Sequence, residues 1–170
     1  MSFQRILIAN RGEIAIRVMR AAADLGISTV AVYSEDDSAS LHATVTDQAY
    51  LLQGKGVLAY LDIEGIINVA KQSSCDAIHP GYGFLAENPE FARKCAENEI
   101  VFIGPDIDHL ALFGDKGRAK SAAVAAHVPV LRGVDRAVTL EEAQEFFESL
   151  QDGSGMMLKA VNGGGGRGSR

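Results

Sequence analysis

Lys159 lies in a short apolar run, Met156-Met157-Leu158-Lys159-Ala160, that leads through Val161 into Asn162-Gly163-Gly164-Gly165-Gly166-Arg167-Gly168. Gly163, Gly165 and Gly168 satisfy G-x-G-x-x-G, and a backbone without side chains lets the N–H groups of such a loop face a phosphate. No Lys-Ser or Lys-Thr follows the glycines, so the run is not a Walker A loop. Lys159 and Arg167 bracket it with positive charge. Strand, lysine and glycine-rich lid is how several ATP-using enzymes cover the phosphates. The other reading is a flexible linker, but linkers favour serine and acids over a strand-borne lysine and an arginine. Lys116, in Gly114-Asp115-Lys116, acquires meaning only if it converges with Lys159.

A second candidate is His79-Pro80-Gly81-Tyr82-Gly83-Phe84-Leu85-Ala86-Glu87-Asn88, which follows a strand and so lies at the carboxyl end of a sheet, where open α/β folds bind ligands. Gly81 and Gly83 around Tyr82 permit close approach of backbone to a ligand, and Glu87 precedes a helix N-cap. A tight turn with a packed aromatic explains the same residues equally well. His79 beside Pro80 reads as a hydrogen-bonded packing residue. A third candidate, the turn Asn10-Arg11-Gly12-Glu13, is poor for a dinucleotide. It has one glycine, and Glu13 opposes a pyrophosphate at the helix start, although Glu35 or Asp36 could grip a ribose. Arg17, Arg20 and Asp24 share a helix face with Glu13, as a solvated ion-paired surface or a polar dimer contact would. Gly54-Lys55-Gly56 reads as a plain turn.

The elements that position these residues alternate. Strands are predicted at Arg5 to Ala9, Thr29 to Tyr33, Ala49 to Leu52, Asp76 to His79, Ile100 to Ile103 and Met156 to Ala160. Helices are predicted from Glu13 to Leu25, stopping at Gly26; from Ile63 to Gln72; from Asn88-Pro89-Glu90 onward; from Asp115 to Ala126; and from Thr139 to about Leu150. The pattern predicts an α/β fold, a doubly wound, mostly parallel Rossmann-like sheet. A glycine loop after a strand should lead into further structure, so residues 1–114 are read as one domain and 115–170 as the truncated beginning of another.

The 170 residues are 47% hydrophobic and 22% charged with mean hydropathy +0.06, which excludes disorder as the main description. Sixteen basic against 22 acidic side chains give −6, which argues against nucleic acid. Residues 156–170 nevertheless carry Lys159, Arg167 and Arg170 and no acid. Cys75 and Cys95 match neither a disulfide framework nor a zinc spacing, and no apolar run approaches a membrane span. A soluble cytoplasmic protein with reduced, structural thiols is expected.

Taken in order, Ile8 to Ala15, His79 to Asn88, Gly114-Asp115-Lys116 and Lys159 to Gly168 resemble the biotin carboxylase component of biotin-dependent carboxylases. The resemblance covers essentially the whole chain. It implies a Rossmann-like pre-ATP-grasp domain followed by the start of an ATP-grasp domain. It also implies a Mg-dependent reaction in which ATP phosphorylates bicarbonate to carboxyphosphate, whose CO2 carboxylates a ureido nitrogen of carrier-bound biotin. On this resemblance Lys116 and Lys159 contact ATP, and Gly163, Gly164, Gly165, Gly166, Arg167 and Gly168 form the lid. Tyr82, Gly83 and Glu87 line the bicarbonate and biotin side, and Arg17, Arg20 and Asp24 belong to the face of a homodimer. A biotin carboxyl carrier domain and a carboxyltransferase domain or subunit are the implied partners, and the acceptor, whether acetyl-CoA, propionyl-CoA, pyruvate or urea, is chosen elsewhere.

Three positions depart from the pattern: His127, where the family has glycine at a helix end needing positive φ, Arg132 for proline, and Ser169 for methionine. Another ATP-grasp ligase of the carbamoyl-phosphate synthetase type is opposed by the string His79 to Asn88. A non-catalytic nucleotide-binding or dimerisation module fits a piece of the enzyme. The resemblance places the metal-binding carboxylates and the basic residues that face bicarbonate and biotin beyond Arg170. The 170 residues alone are therefore expected to show no bicarbonate-dependent ATPase activity, and turnover by the pure polypeptide would contradict this.

Overall fold

The computed structural model describes residues 3–134, 136–151 and 153–159; Gly163, Gly164, Gly165, Gly166, Arg167 and Gly168 lie outside them. The chain divides into two compact units, Met1–Ala111 and Leu112–Arg170.

The first unit is an α/β sheet of five parallel strands: β1 (Arg5–Ile8), β2 (Ser28–Tyr33), β3 (Gln48–Leu51), β4 (Ala77–His79) and β5 (Val101–Phe102), in the order β3-β2-β1-β4-β5. The chain works outward from β1 to β3, then crosses back to β4 and β5, so strand order reverses between β1 and β4. Both faces of the central strands are covered, as their near-continuous apolar sequences require. Leu7, Val30, Val32 and Ile78 point into one core with Ile66 and Ala70 of α4 (Ile63–Gln72) and Phe91 and Cys95 of α5 (Pro89–Glu97). Ile6, Ile8, Ala31 and Ala77 point the other way onto Ala15, Met19 and Ala22 of α1 (Gly12–Asp24). Burial pushes the Cys95 thiol up to about 12 and raises Cys75, so both free cysteines are inert packing groups at neutral pH.

Two helices open on side-chain caps, of which the sequence reading expected the one at Asn88. Asn88 Oδ1 accepts from Phe91 N ahead of Pro89, and Asp62 Oδ1 accepts from Gly65 N at the start of α4. Helix ends share one device. After α1, α4 and α5 the chain passes through a left-handed residue, Gly26, Ser74 or Glu99, at φ 69°, 52° and 59°. The next amide then reaches back into the last turn, from Ile27 to Ala22 O, from Cys75 to Ala70 O and from Ile100 to Cys95 O. Ile27, Cys75 and Ile100 lead straight into β2, β4 and β5.

In the second unit, α7 (Lys116–Ala125) is capped by Asp115 and ends in the same way at His127, whose φ is 58° as the glycine-to-histidine departure requires. The helix α8 (Leu140–Glu148) opens with a full capping box between Thr139 and Glu142. The strand expected at Met156 to Ala160 is corrected for its described residues: Met156 to Leu158 are irregular and Lys159 makes a single bridge. A strand needs a paired neighbour along its length, and an apolar run alone does not supply one. Four short pieces are additional to the sequence reading: a 3₁₀ turn at Glu35–Asp37, α2 (Leu41–Thr44), α3 (Gly56–Ala59) and α6 (Ile107–Phe113). Lys55, read as part of a plain turn, is the N-cap position of α3. No helix among the described residues is long and apolar enough to cross a membrane.

Ser74 and Glu99 occupy backbone that glycine adopts without steric cost. Ser74→Gly and Glu99→Gly are each expected to raise unfolding free energy by about 0.5–1 kcal/mol, and Ser74→Val to lower it, read from urea midpoints.

Candidate functional site

Asn10 follows β1 after Ala9 and is fully buried. Its Nδ2 donates to Pro80 O at 2.8 Å and to Tyr82 O at 3.0 Å, and its Oδ1 accepts from Arg11 N at 2.9 Å. The turn after β1 is thereby tied to the loop after β4, across the place where strand order reverses. Gly81 lies against this clamp at φ 66°, and a Cβ there would sit 2.6 Å from Asn10 Nδ2 and 2.8 Å from Ile14 Cγ2. Gly81 N donates to His79 Nδ1 at 2.9 Å, which requires a neutral imidazole; burial lowers the His79 pKa in the same sense. Gly83 and Phe84 are also left-handed, at φ 72° and 42°.

Phe84 is held by a second anchor, stacking on Tyr60 with ring centroids 5.2 Å apart. Tyr60 is buried and donates its phenol to Asp37 Oδ2 at 2.8 Å. Asp37 also accepts from Ser34 and Ser40 and pairs with Arg11 Nη2 at 3.0 Å. Burial alone would raise the Asp37 pKa, but the Tyr60 and Ser40 hydrogen bonds, Arg11 and Ser34 outweigh it and hold the carboxyl below its ordinary value. Burial and the bond to Asp37 push Tyr60 up to about 12. His42 Nε2 lies 3.4 Å from the same phenol, and burial lowers the His42 pKa. Asp36, weighed above as a ribose acid, instead accepts from Gly56 N and Ser34 Oγ.

The outer edge of the loop faces solvent: Tyr82 is 66% exposed, and Gly83 and Glu87 are exposed. The Tyr82 hydroxyl donates to Glu13 Oε1 at 3.0 Å, and that carboxylate raises the phenol's pKa. Tyr82, Glu13, Arg17 and His79 border a cleft of about 630 Å³ whose other walls are mainly apolar, Ile14 and Val18 among them. Arg17 thus joins the Tyr82 edge, whereas Arg20 and Asp24 are exposed farther along α1 and do not line the cleft. Lys116 is exposed at the first turn of α7, and Lys159 is exposed at its bridge. The sequence reading missed the roles of Asn10, Asp37 and Tyr60. All three act through contacts that only the fold brings together, and no local pattern marks them.

The family profile described as biotin carboxylase, N-terminal domain, matches residues 2–110. Pyruvate carboxylase of Staphylococcus aureus is 53% identical over 170 residues, covering 98% of this chain and 15% of the relative. Pyruvate carboxylase of Bacillus subtilis is 55% identical over 172 residues, with 99% and 15% covered. The chain thus spans about 15% of the length of these relatives. Among solved structures, the biotin carboxylase domain dimer of Hydrogenobacter thermophilus 2-oxoglutarate carboxylase, in complex with MgADP, ADP and bicarbonate, superposes with TM-score 0.93 at 46% identity. That superposition covers 100% of this chain and 37% of the other.

The Tyr60 phenol is more easily ionised in the unfolded chain, near pH 10, than in the fold, near 12. The stability it contributes is therefore present below pH 10 and lost as pH rises from 10 to about 12. Asp37, shifted the other way, contributes above its ordinary value of 3.8 and loses that contribution as pH falls through its lower folded value. Tyr60→Phe removes a donor from a buried carboxylate and is expected to cost about 1–3 kcal/mol at neutral pH. It should also make the alkaline loss shallower. Urea midpoints measured from pH 6 to 12 on both proteins check this, and parallel curves would refute it.

Proposed function

The chain belongs to the biotin carboxylase family, and on that premise we propose that it forms part of the nucleotide- and biotin-handling surface of an ATP-dependent carboxylating ligase. The reading is carried by Tyr82, Gly83 and Glu87, exposed after β4 on a loop braced by Asn10 and Tyr60, in a chain that aligns over 98% of its length with carboxylases.

In this reading residues 1–114 are the N-terminal domain and 115–170 the start of an ATP-grasp domain. Lys116 and Lys159 supply charge to the ATP phosphates, and Gly163 to Gly168 with Arg167 close over them. The reaction forms a bond from a bicarbonate oxygen to the γ-phosphorus and releases ADP. The resulting carboxyphosphate breaks into CO2 and phosphate, and the ureido nitrogen of biotin takes the CO2 as its N–H proton passes to the released phosphate. Tyr82, Gly83 and Glu87 form one wall for bicarbonate and biotin, and the family's lid excludes water that would hydrolyse carboxyphosphate. Magnesium arrives with the nucleotide; among the described residues no three His, Cys, Asp or Glu side chains converge on a metal position. Arg17, Arg20 and Asp24 belong to a homodimer face, an assembly the Hydrogenobacter domain adopts. The carrier and carboxyltransferase are partners in the cytoplasm, and the acceptor, whether acyl thioester, keto acid or urea, is met at the carboxyltransferase.

In the full-length carboxylase containing this segment, Lys116→Gln and Lys159→Gln should each raise the apparent KM for ATP about 10- to 100-fold, since each removes a charge-assisted phosphate contact. Steady-state kinetics with ATP varied at saturating bicarbonate and biotin test this. An unchanged KM removes that lysine from the nucleotide site.

A further inference from the structure

In an open parallel sheet the natural ligand crevice lies beyond the carboxyl ends of the two strands between which strand order reverses. Here those strands are β1 and β4, and the crevice is not open. The Asn10 amide lies across it and commits both N–H groups to backbone carbonyls some 70 residues away, Pro80 O and Tyr82 O. Its oxygen takes Arg11 N, so three of the four hydrogen-bonding places of the amide are used inside the protein. A dinucleotide cannot enter a place filled by a satisfied, fully buried side chain. The ligand-facing surface is pushed outward to the exposed side of the same loop.

That loop holds a conformation it would not keep unaided. Gly81, Gly83 and Phe84 are all left-handed, and Phe84 has a Cβ that disfavours the region. Backbone strain persists only where the surroundings over-determine it. Two groups do so here: the Phe84 ring is pinned on Tyr60, and the carbonyls on either side of Gly81 are pinned by Asn10. Gly81 is the one residue type that fits, because any Cβ would collide with the Asn10 amide and with Ile14.

We propose that Asn10 is a positioning residue for the carboxylation site: by clamping Pro80 O and Tyr82 O it fixes the Tyr82–Gly83 edge that the proposed function assigns to biotin. Asn10 touches no substrate. Its effect is to set where the Tyr82 ring, the Gly83 amide and the Glu87 carboxylate stand before biotin arrives, and so to remove the cost of ordering the loop on binding. The inference rests on the biotin-side assignment made above, and the experiment separates the two.

The test uses the full-length carboxylase with free biotin as the probe, and ADP release as the readout. Asn10→Ser shortens the side chain so that it cannot reach both carbonyls, and Gly81→Ala pushes a methyl group into the clamp without altering Asn10. Each is expected to raise the KM for biotin about tenfold while leaving the KM for ATP within about twofold, a split that a general loss of stability does not produce. Tyr82→Ala and Glu87→Gln, made on the exposed edge, report on the biotin-side assignment itself. If they raise the KM for biotin and the clamp variants do not, the positioning role is wrong and the assignment stands. If none of the four changes it, the assignment falls and the positioning role with it. A rise in the clamp variants with no effect in either edge variant also overturns the proposal, because the effect then does not pass through that edge. So does an equal rise in both KM values, or failure of both clamp variants to fold, which would give the clamp a purely structural role.

Discussion

No part of the Asn10 side chain reaches water, and a primary amide in that position must find its hydrogen bonds inside the protein or destabilise it by several kcal/mol. Its partners are backbone carbonyls, which cannot be relocated without moving the chain that carries them. That requirement fixes the spacing between two turns far apart in sequence. The left-handed backbone of Gly81, against which no Cβ would fit beside the Asn10 amide, goes with it.

A second buried group works beside the first. Asp37 is surrounded by a phenol, two hydroxyls and a guanidinium, all directed at one carboxylate. Removing any single donor leaves a buried charge short of a partner, so the group acts as a unit. Because Arg11 sits next to Asn10 in the chain and Tyr60 stacks on Phe84, the two polar centres brace the same loop. The β1 turn lacks the glycines a pyrophosphate needs, and it is devoted to this bracing.

Features whose causes are local were readable in the sequence. The helix from Ile63 to Gln72, the Asn88-Pro89 start and the Thr139–Glu142 capping box each depend on residues within a turn of one another, whereas the positive φ of His127 was expected only from the family resemblance. The parallel sheet was readable because strands buried on both faces are written as uninterrupted apolar runs. The short helices at Leu41–Thr44 and Gly56–Ala59 were not, since they are stabilised by neighbours distant in sequence, such as Asp36 accepting from Gly56 N. The same limit hid the Asn10 clamp: Asn10-Arg11-Gly12 looks like any turn until residues 80 and 82 are placed beside it. The apolar run before Lys159 shows the converse failure, a strand-like composition with a single paired residue.

The two-residue strand β5 also has a bearing on association. Its ladder to β4 extends no further than the Ile103 amide, which donates to Ile78 O, and Gly104-Pro105 follow at once. A sheet margin is a template for another chain only if it offers a row of free amides and carbonyls, and proline has no amide to give. Val101 is half exposed there, so the margin is apolar as well as short, and its brevity protects it where charge does not. At this margin, keeping the outermost strand to two residues guards the parallel sheet against growing into an intermolecular one.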